Sequence, residues 1–196
     1  MKLQRAYDRT LRTQQAARAE ERVLGEAERL FATLAFDRVT LGAVARAASV
    51  TIPTLQRRFG NKEGLFGACA SRVRARVEGQ RGGPPGVSVK ECIRNLVAHY
   101  EREGAMLWHL LRQEAEVPLL RSPLAEGRAT HRAWVKRVFA RPIARVERPQ
   151  RRARVDALVA VTDLFVWKLL RVDLGRSRPE VEALLIKLAA AAARGT

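Results

Sequence analysis

Thr40–Phe66, TLGAVARAASVTIPTLQRRFGNKEGLF, decides the fold. Leu41, Val44, Ala45 and Ala48 recur at helical spacing and give a first short helix one apolar face. Ser49-Val50-Thr51 breaks that pattern. Thr51 is suited to cap a second helix, because its hydroxyl can accept from free backbone N–H groups. Pro53 falls in the first turn, where no backbone donor is needed. Leu55 and Phe59 lie four apart and point inward, while Thr54, Gln56, Arg57 and Arg58 point outward. Gly60 ends this helix. Asn61 caps the next, which Leu65, Phe66, Cys69, Val73 and Val77 continue. Two short helices joined by a tight turn, the second polar and basic on its outer face, form a helix-turn-helix pattern. Such a helix fits the DNA major groove and can hydrogen-bond base edges. Arg57 and Arg58 supply charge for phosphates.

The preceding residues complete a three-helix unit. Val23, Ala27, Leu30, Phe31 and Leu34 form one apolar stripe, with Arg22 and Glu26 an i,i+4 pair on the outer face. Leu30, Phe31, Val39, Val44, Val50, Leu55 and Phe59 are the expected core of this unit. Residues 1–17 are basic and read either as an arm or as an extension of the first helix.

This region resembles the TetR family of transcriptional regulators, from about Glu21 to Phe66. The matching positions are Phe36, Val39, Thr40, Val50, Thr54, Leu55, Phe59, Lys62, Glu63, Leu65 and Phe66. Small, capping, apolar and basic residues all fall in the family's register. Four positions depart from it. Ala35 and Ser49 stand where Gly is usual, Gln56 where Tyr is usual, and Arg58 where His is common. Ser49 must make its turn without Gly's freedom. Gln56 offers phosphate an amide in place of a ring. The resemblance implies an all-α protein, with an N-terminal three-helix helix-turn-helix domain followed by a C-terminal helical effector and dimerisation domain. It implies DNA contact through Thr40, Thr51, Pro53, Thr54, Gln56, Arg57, Arg58 and Lys62. Lys62 sits beside a helix N-terminus, where backbone N–H groups favour phosphate.

The chain has 196 residues and a formal net charge of +17. That charge points to an anionic partner, nucleic acid or a membrane surface. It does not locate the site. Residues 1–80 carry +7 and residues 81–196 carry +10. An Arg-rich composition bias on every solvated face accounts for the second figure as well as a binding surface does.

The expected division is a basic arm over 1–17 and the helix-turn-helix domain over 18–66. A linking helix and Gly/Pro loop follow over 67–86, then a helical domain over 87–196. GQRGGPPGVS, residues 79–88, is the main punctuation. Ser88 and Glu91 form a capping box that opens the next helix. Gly104 is expected to interrupt that helix and Pro118 to stop it. Ser122-Pro123 should open another, which Pro142 kinks or ends. Residues 150–173 read as one helix, apolar over most of its circumference, so a second subunit is a natural cover. Ser177 and Glu180 form a second capping box before Val181, Leu184, Leu185 and Leu188. Two adjacent helices of this kind would make a four-helix interface with a symmetry mate, giving a homodimer.

No metal site, cofactor or catalytic group is expected. His99, His109 and His131 are scattered, and Cys69 and Cys92 lie far apart, so ligand spacing is missing. No nucleophile elbow, Walker pattern or dinucleotide fingerprint occurs, and the protein is not expected to be an enzyme. The N-terminus lacks the apolar core of a signal peptide and no apolar run reaches membrane-span length. A cytoplasmic location with reduced thiols follows as the expectation. All three Trp lie in the C-terminal half. The resemblance implies a pocket there for a small apolar effector, with Trp108, Leu111, Trp134, Val138, Thr162 and Phe165 as candidate lining. The expected function is a homodimeric, sequence-specific transcriptional regulator, a repressor on a near-palindromic operator. The alternatives are a sequence-indifferent basic nucleic-acid-coating protein and a membrane-surface protein.

Overall fold

The computed structural model describes residues 2–82 and 87–194, with side chains described over 13–79 and 87–194. Every regular element among these residues is helical. Helix α1 (Lys2–Thr33) leads through a short 3-10 turn at Phe36–Arg38 into α2 (Leu41–Ala48), α3 (Ile52–Phe59) and α4 (Lys62–Gly82). The backbone is already helical at Lys2, so the basic stretch is the start of α1 and not a separate arm. Glu26 pairs with Arg29, one turn ahead of it, at 2.9 Å, where Arg22, one turn behind, is the expected partner.

Phe31, Val39, Val44 and Leu55 are buried in the first core, with Leu30, Val50 and Phe59 packed at its edge. Leu34, expected on the apolar stripe, is exposed. The helix ends one residue earlier, at Thr33, so Leu34 leaves its rotational register. Phe31, Phe36 and Phe66 meet as three rings, with centroids 5.1 to 5.4 Å apart. Helix α4 ties the three-helix unit to the rest of the chain. Its Arg76 bonds Glu28 of α1 at 3.0 Å and Glu103 at 3.1 Å. Of the expected loop at 79–88, residues 79–82 continue α4, and 83–86 lie outside the described residues.

Helix α5 (Val89–Leu111) starts at Ser88, whose hydroxyl accepts from Glu91 N–H at 3.2 Å. Gly104 does not interrupt it. A Cβ there would lie 2.5 Å from Trp167 Cζ3, so the glycine admits the indole against the helix backbone. The helix ends at Leu111, ahead of Pro118, which instead opens a 3-10 turn. Helix α6 (Arg121–Val138) is followed by a short α7 (Ala140–Ala144) containing Pro142.

The stretch 150–173 is not one helix. Helix α8 (Arg148–Val161) ends at Thr162, and α9 (Leu164–Lys168) runs into a π-helical turn, Leu169–Asp173. The break has local causes. Thr162 Oγ1 donates back to the Leu158 carbonyl at 2.6 Å, and the Asp163 carboxylate caps α9 by accepting from Phe165 N–H at 3.0 Å. Helix α10 (Arg178–Arg194) then packs on α8 and α5. Leu158, Val181, Leu185 and Ala189 are consumed by these contacts within the chain, and Val155 is buried as well.

Candidate nucleic-acid interface

Helix α3 is held by Leu55, which is 1% exposed, and by half-buried Phe59. Its first turn is capped by a side chain and its last by a glycine. Thr51 Oγ1 accepts from Thr54 N–H at 3.4 Å and shares a 2.9 Å hydrogen bond with Thr54 Oγ1. At the other end Gly60, at φ 77°, donates its N–H to the Gln56 carbonyl at 2.8 Å. Thr40 caps α2 in the same way, accepting from Ala43 N–H at 3.1 Å. The turn between α2 and α3 passes through Ser49 at φ 54°, ψ 49°. That is the left-handed region, where a Cβ is unfavourable.

The outer surface of α3 presents Pro53, Gln56, Arg57 and Arg58, all exposed, with Thr54 half-buried beside them. The two arginines differ. Arg58 is held back by Glu20 of α1, Nη2 to Oε2 2.6 Å. Arg57 has no ion pair among the described residues. Lys62 Nζ donates to the Phe36 carbonyl at 3.0 Å and lies 4.5 Å from the centre of the Phe36 ring. It therefore fastens the loop before α2, with further ammonium protons left over for an anion. Ile52, 43% exposed at the first turn of α3, was not singled out in the sequence. An exposed β-branched residue at the start of a polar helix is the available signal, and apolar contact suits a thymine methyl.

A cavity of about 320 Å³ lies between this unit and the helices that follow. Its wall includes Phe31 of α1, Phe66 and Val73 of α4, Leu111 of α5, Leu124 of α6 and Phe165 of α9. Of the six expected effector residues, Leu111 and Phe165 line it. Trp108 packs edge-on against Phe165 with centroids 5.3 Å apart. Trp134 is buried behind the wall, stacked on His131 at 5.6 Å, and Val138 packs with the same core. Thr162 is fully buried and bonds His131 Nε2 at 3.1 Å. Its one proton goes to Leu158, so His131 Nε2 is the donor in that pair. Period marked these residues as inward-facing but could not separate cavity wall from solid core.

The ion pairs at the cavity are closed within the protein, and the Asp163 carboxylate on its wall is held as the cap of α9, accepting from Phe165 N–H at 3.0 Å. Glu114 takes Arg128 in a two-point pair at 2.6 and 3.0 Å, which holds its carboxyl below the usual range. Arg74 pairs with Glu126, and Glu28 with Arg72 and Arg76. Burial, reinforced by Glu28, pushes the Cys69 thiol up to about 12, so it stays protonated. No cluster of three metal-ligating side chains occurs among the described residues.

Residues 23–69 match the model for bacterial regulatory proteins of the tetR family. The chain carries a tetR-family DNA-binding domain. Its fold as a whole is that of TetR-family transcriptional regulators. A TetR-like regulator from Rhodococcus sp. RHA1 is 23% identical, with a TM-score of 0.66, over 88% of this chain and 93% of that one. A tetR-family regulator from Streptomyces coelicolor gives 0.68 at 18% identity, over 89% and 80%. The flavonoid-responsive regulator FrrA gives 0.61 at 22%, over 89% and 94%. No curated protein matches the chain significantly. No helix among the described residues is long and apolar enough to cross a membrane.

Proposed function

We propose that the protein is a homodimeric, sequence-specific DNA-binding repressor, released from its operator by a small uncharged effector. The observation that carries this reading is α3: a short helix capped at both ends, anchored by Leu55, with Gln56 and Arg57 exposed on its outer side. Arg57 suits a guanine edge or a phosphate, Gln56 an adenine edge or a phosphate, and Ile52 a thymine methyl. Thr40, Thr51, Pro53, Thr54, Arg58 and Lys62 fix the helix on the backbone.

The dimer face is the apolar strip that the fold leaves uncovered. Phe165, Leu169, Val172 and Leu174 are 48 to 60% exposed, and Leu184 of α10 is 38% exposed. A second copy related by a twofold axis covers this strip and sets two α3 helices about one DNA turn, ~34 Å, apart. The operator is then near-palindromic. The protein acts in the cytoplasm, with no catalytic role.

Footprinting on the DNA flanking its own gene tests this reading. The expected pattern is two protected half-sites related by inversion. Uniform protection without a preferred sequence would replace it with a nucleic-acid-coating role, and co-sedimentation with anionic vesicles in preference to DNA with a membrane-surface role.

A further inference from the structure

The cavity wall belongs partly to the DNA-binding domain. Phe31 and Phe66 line it and are also two members of the ring trio that carries Phe36. Phe36 sits in the loop just before α2, and that loop is gripped from the far side by α5 and the turn that follows it. His109 Nε2–H donates to the Leu34 carbonyl at 2.8 Å, and Gln113 Oε1 accepts from Phe36 N–H at 2.8 Å. Gln113 is fixed in turn by its own donation to the His109 carbonyl at 3.0 Å. The same end of α5 lines the cavity through Met106, Leu107, Leu110 and Leu111. One void therefore touches both jaws holding the Leu34–Phe36 loop.

We propose that this cavity is the effector site and takes an uncharged, flat aromatic molecule whose contact with Phe31 and Phe66 acts directly on the Leu34–Phe36 loop. The aromatic wall sets the flat shape, and the engagement of the wall's charges sets the uncharged class: Glu28, Arg74, Glu114 and Arg128 are ion-paired and Asp163 caps α9, so a charged ligand would lose hydration without a free partner to replace it. The volume lies at the lower end for small-molecule sites. Coupling needs no long relay: the ligand touches the core of the DNA-binding domain, and Gln113 transmits the position of α5 to the Phe36 amide. The inference deepens the effector-release reading and rests on it for its biological meaning, but its test uses no DNA.

The probe is N-phenyl-1-naphthylamine, uncharged, followed by its fluorescence on the full chain. Val73→Trp and the milder Ala70→Met both fill the void, and melting curves show which of them remains folded. Each folded variant should weaken probe binding by about tenfold or more. The anionic relative 8-anilino-1-naphthalenesulfonate should show no response to either substitution, since its binding is confined to the basic surface. Bound probe should change amide exchange at residues 34–39 by about threefold or more. Gln113→Ala should keep probe affinity within about twofold yet lose that exchange response. Absence of saturable probe binding, indifference to both filling variants, Val73-sensitive binding of the sulfonate, or unaltered exchange with probe bound would each overturn the proposal. None of these results bears on operator binding, which footprinting judges separately.

Discussion

The DNA-binding domain and the helical body use similar residues in opposite ways. In the first, short helices are each closed by a polar cap, and one anchor residue per turn fixes the face: Thr40 and Thr51 close, Val44 and Leu55 anchor. Little apolar surface is left over. In the body, long helices carry more apolar surface than one neighbour can cover. The excess is divided between a core, a cavity wall and the exposed strip at Phe165–Leu174. Local capping makes a domain whose outer face is free for a ligand as rigid as duplex DNA. Surplus apolar surface makes one that keeps an open strip and a cavity.

That contrast breaks first at the strip. Leu169→Glu together with Val172→Glu should convert the dimer to monomer in sedimentation, weakening association by more than about thirtyfold, as for loss of a hot spot worth ~2 kcal/mol. Both side chains are exposed, so the monomer should melt as a folded protein. Next is the anchor of α3. Leu55→Ala should destabilise the DNA-binding domain by about 2–5 kcal/mol in denaturant titration, through lost burial and the cavity left behind. Gly104→Ala should cost about 1–3 kcal/mol, because its methyl meets the Trp167 ring and must displace it. Near-ultraviolet dichroism of Trp167 would report that displacement.

How much of this was legible in the sequence follows the same division. The short helices declared themselves through caps and breakers: Thr51, Pro53 and Gly60 sit where the structure uses them, as does Ser88 at the start of the long α5. Ser49 does as well, and the strain implied by its place in the turn is present as a positive φ. The body was less readable, because period alone cannot say which of several neighbours an apolar side chain meets. The break at Thr162 is hidden inside an apolar run. It depends on where two oxygens, Thr162 Oγ1 and an Asp163 carboxylate oxygen, find their partners. Gly104 reads as a helix breaker, yet its role is set by an indole 63 positions along the chain. The links from Lys62, His109 and Gln113 to the Leu34–Phe36 loop come from α4, from α5 and from the turn after α5, and no spacing in the sequence announces them.

Two smaller effects sharpen the comparison. Ser49→Gly should stabilise the DNA-binding domain by about 1 kcal/mol, since glycine adopts the left-handed conformation without the Cβ clash. Thermal melting would show it, and a fall in stability would mean the serine side chain does more than fill the turn. In the body, the Glu114 carboxyl is held below its usual pKa by its hydrogen bonds to Arg128, so the pair adds stability above the unfolded value. That contribution is lost as pH falls through the lowered folded value. With Arg128 53% exposed, the loss should be under about 1 kcal/mol and should vanish in Arg128→Ala.

The central claim is that the exposed side of α3 enters a DNA groove. Titration of Arg57→Ala against the footprinted operator over a range of salt tests it most directly. The account predicts weaker binding together with one of two signatures. The salt slope should fall by about 0.9 if Arg57 meets a phosphate, or discrimination at one base pair should drop by about 1–3 kcal/mol if it meets a base edge. Wild-type affinity with an unchanged slope and unchanged base preference would contradict it.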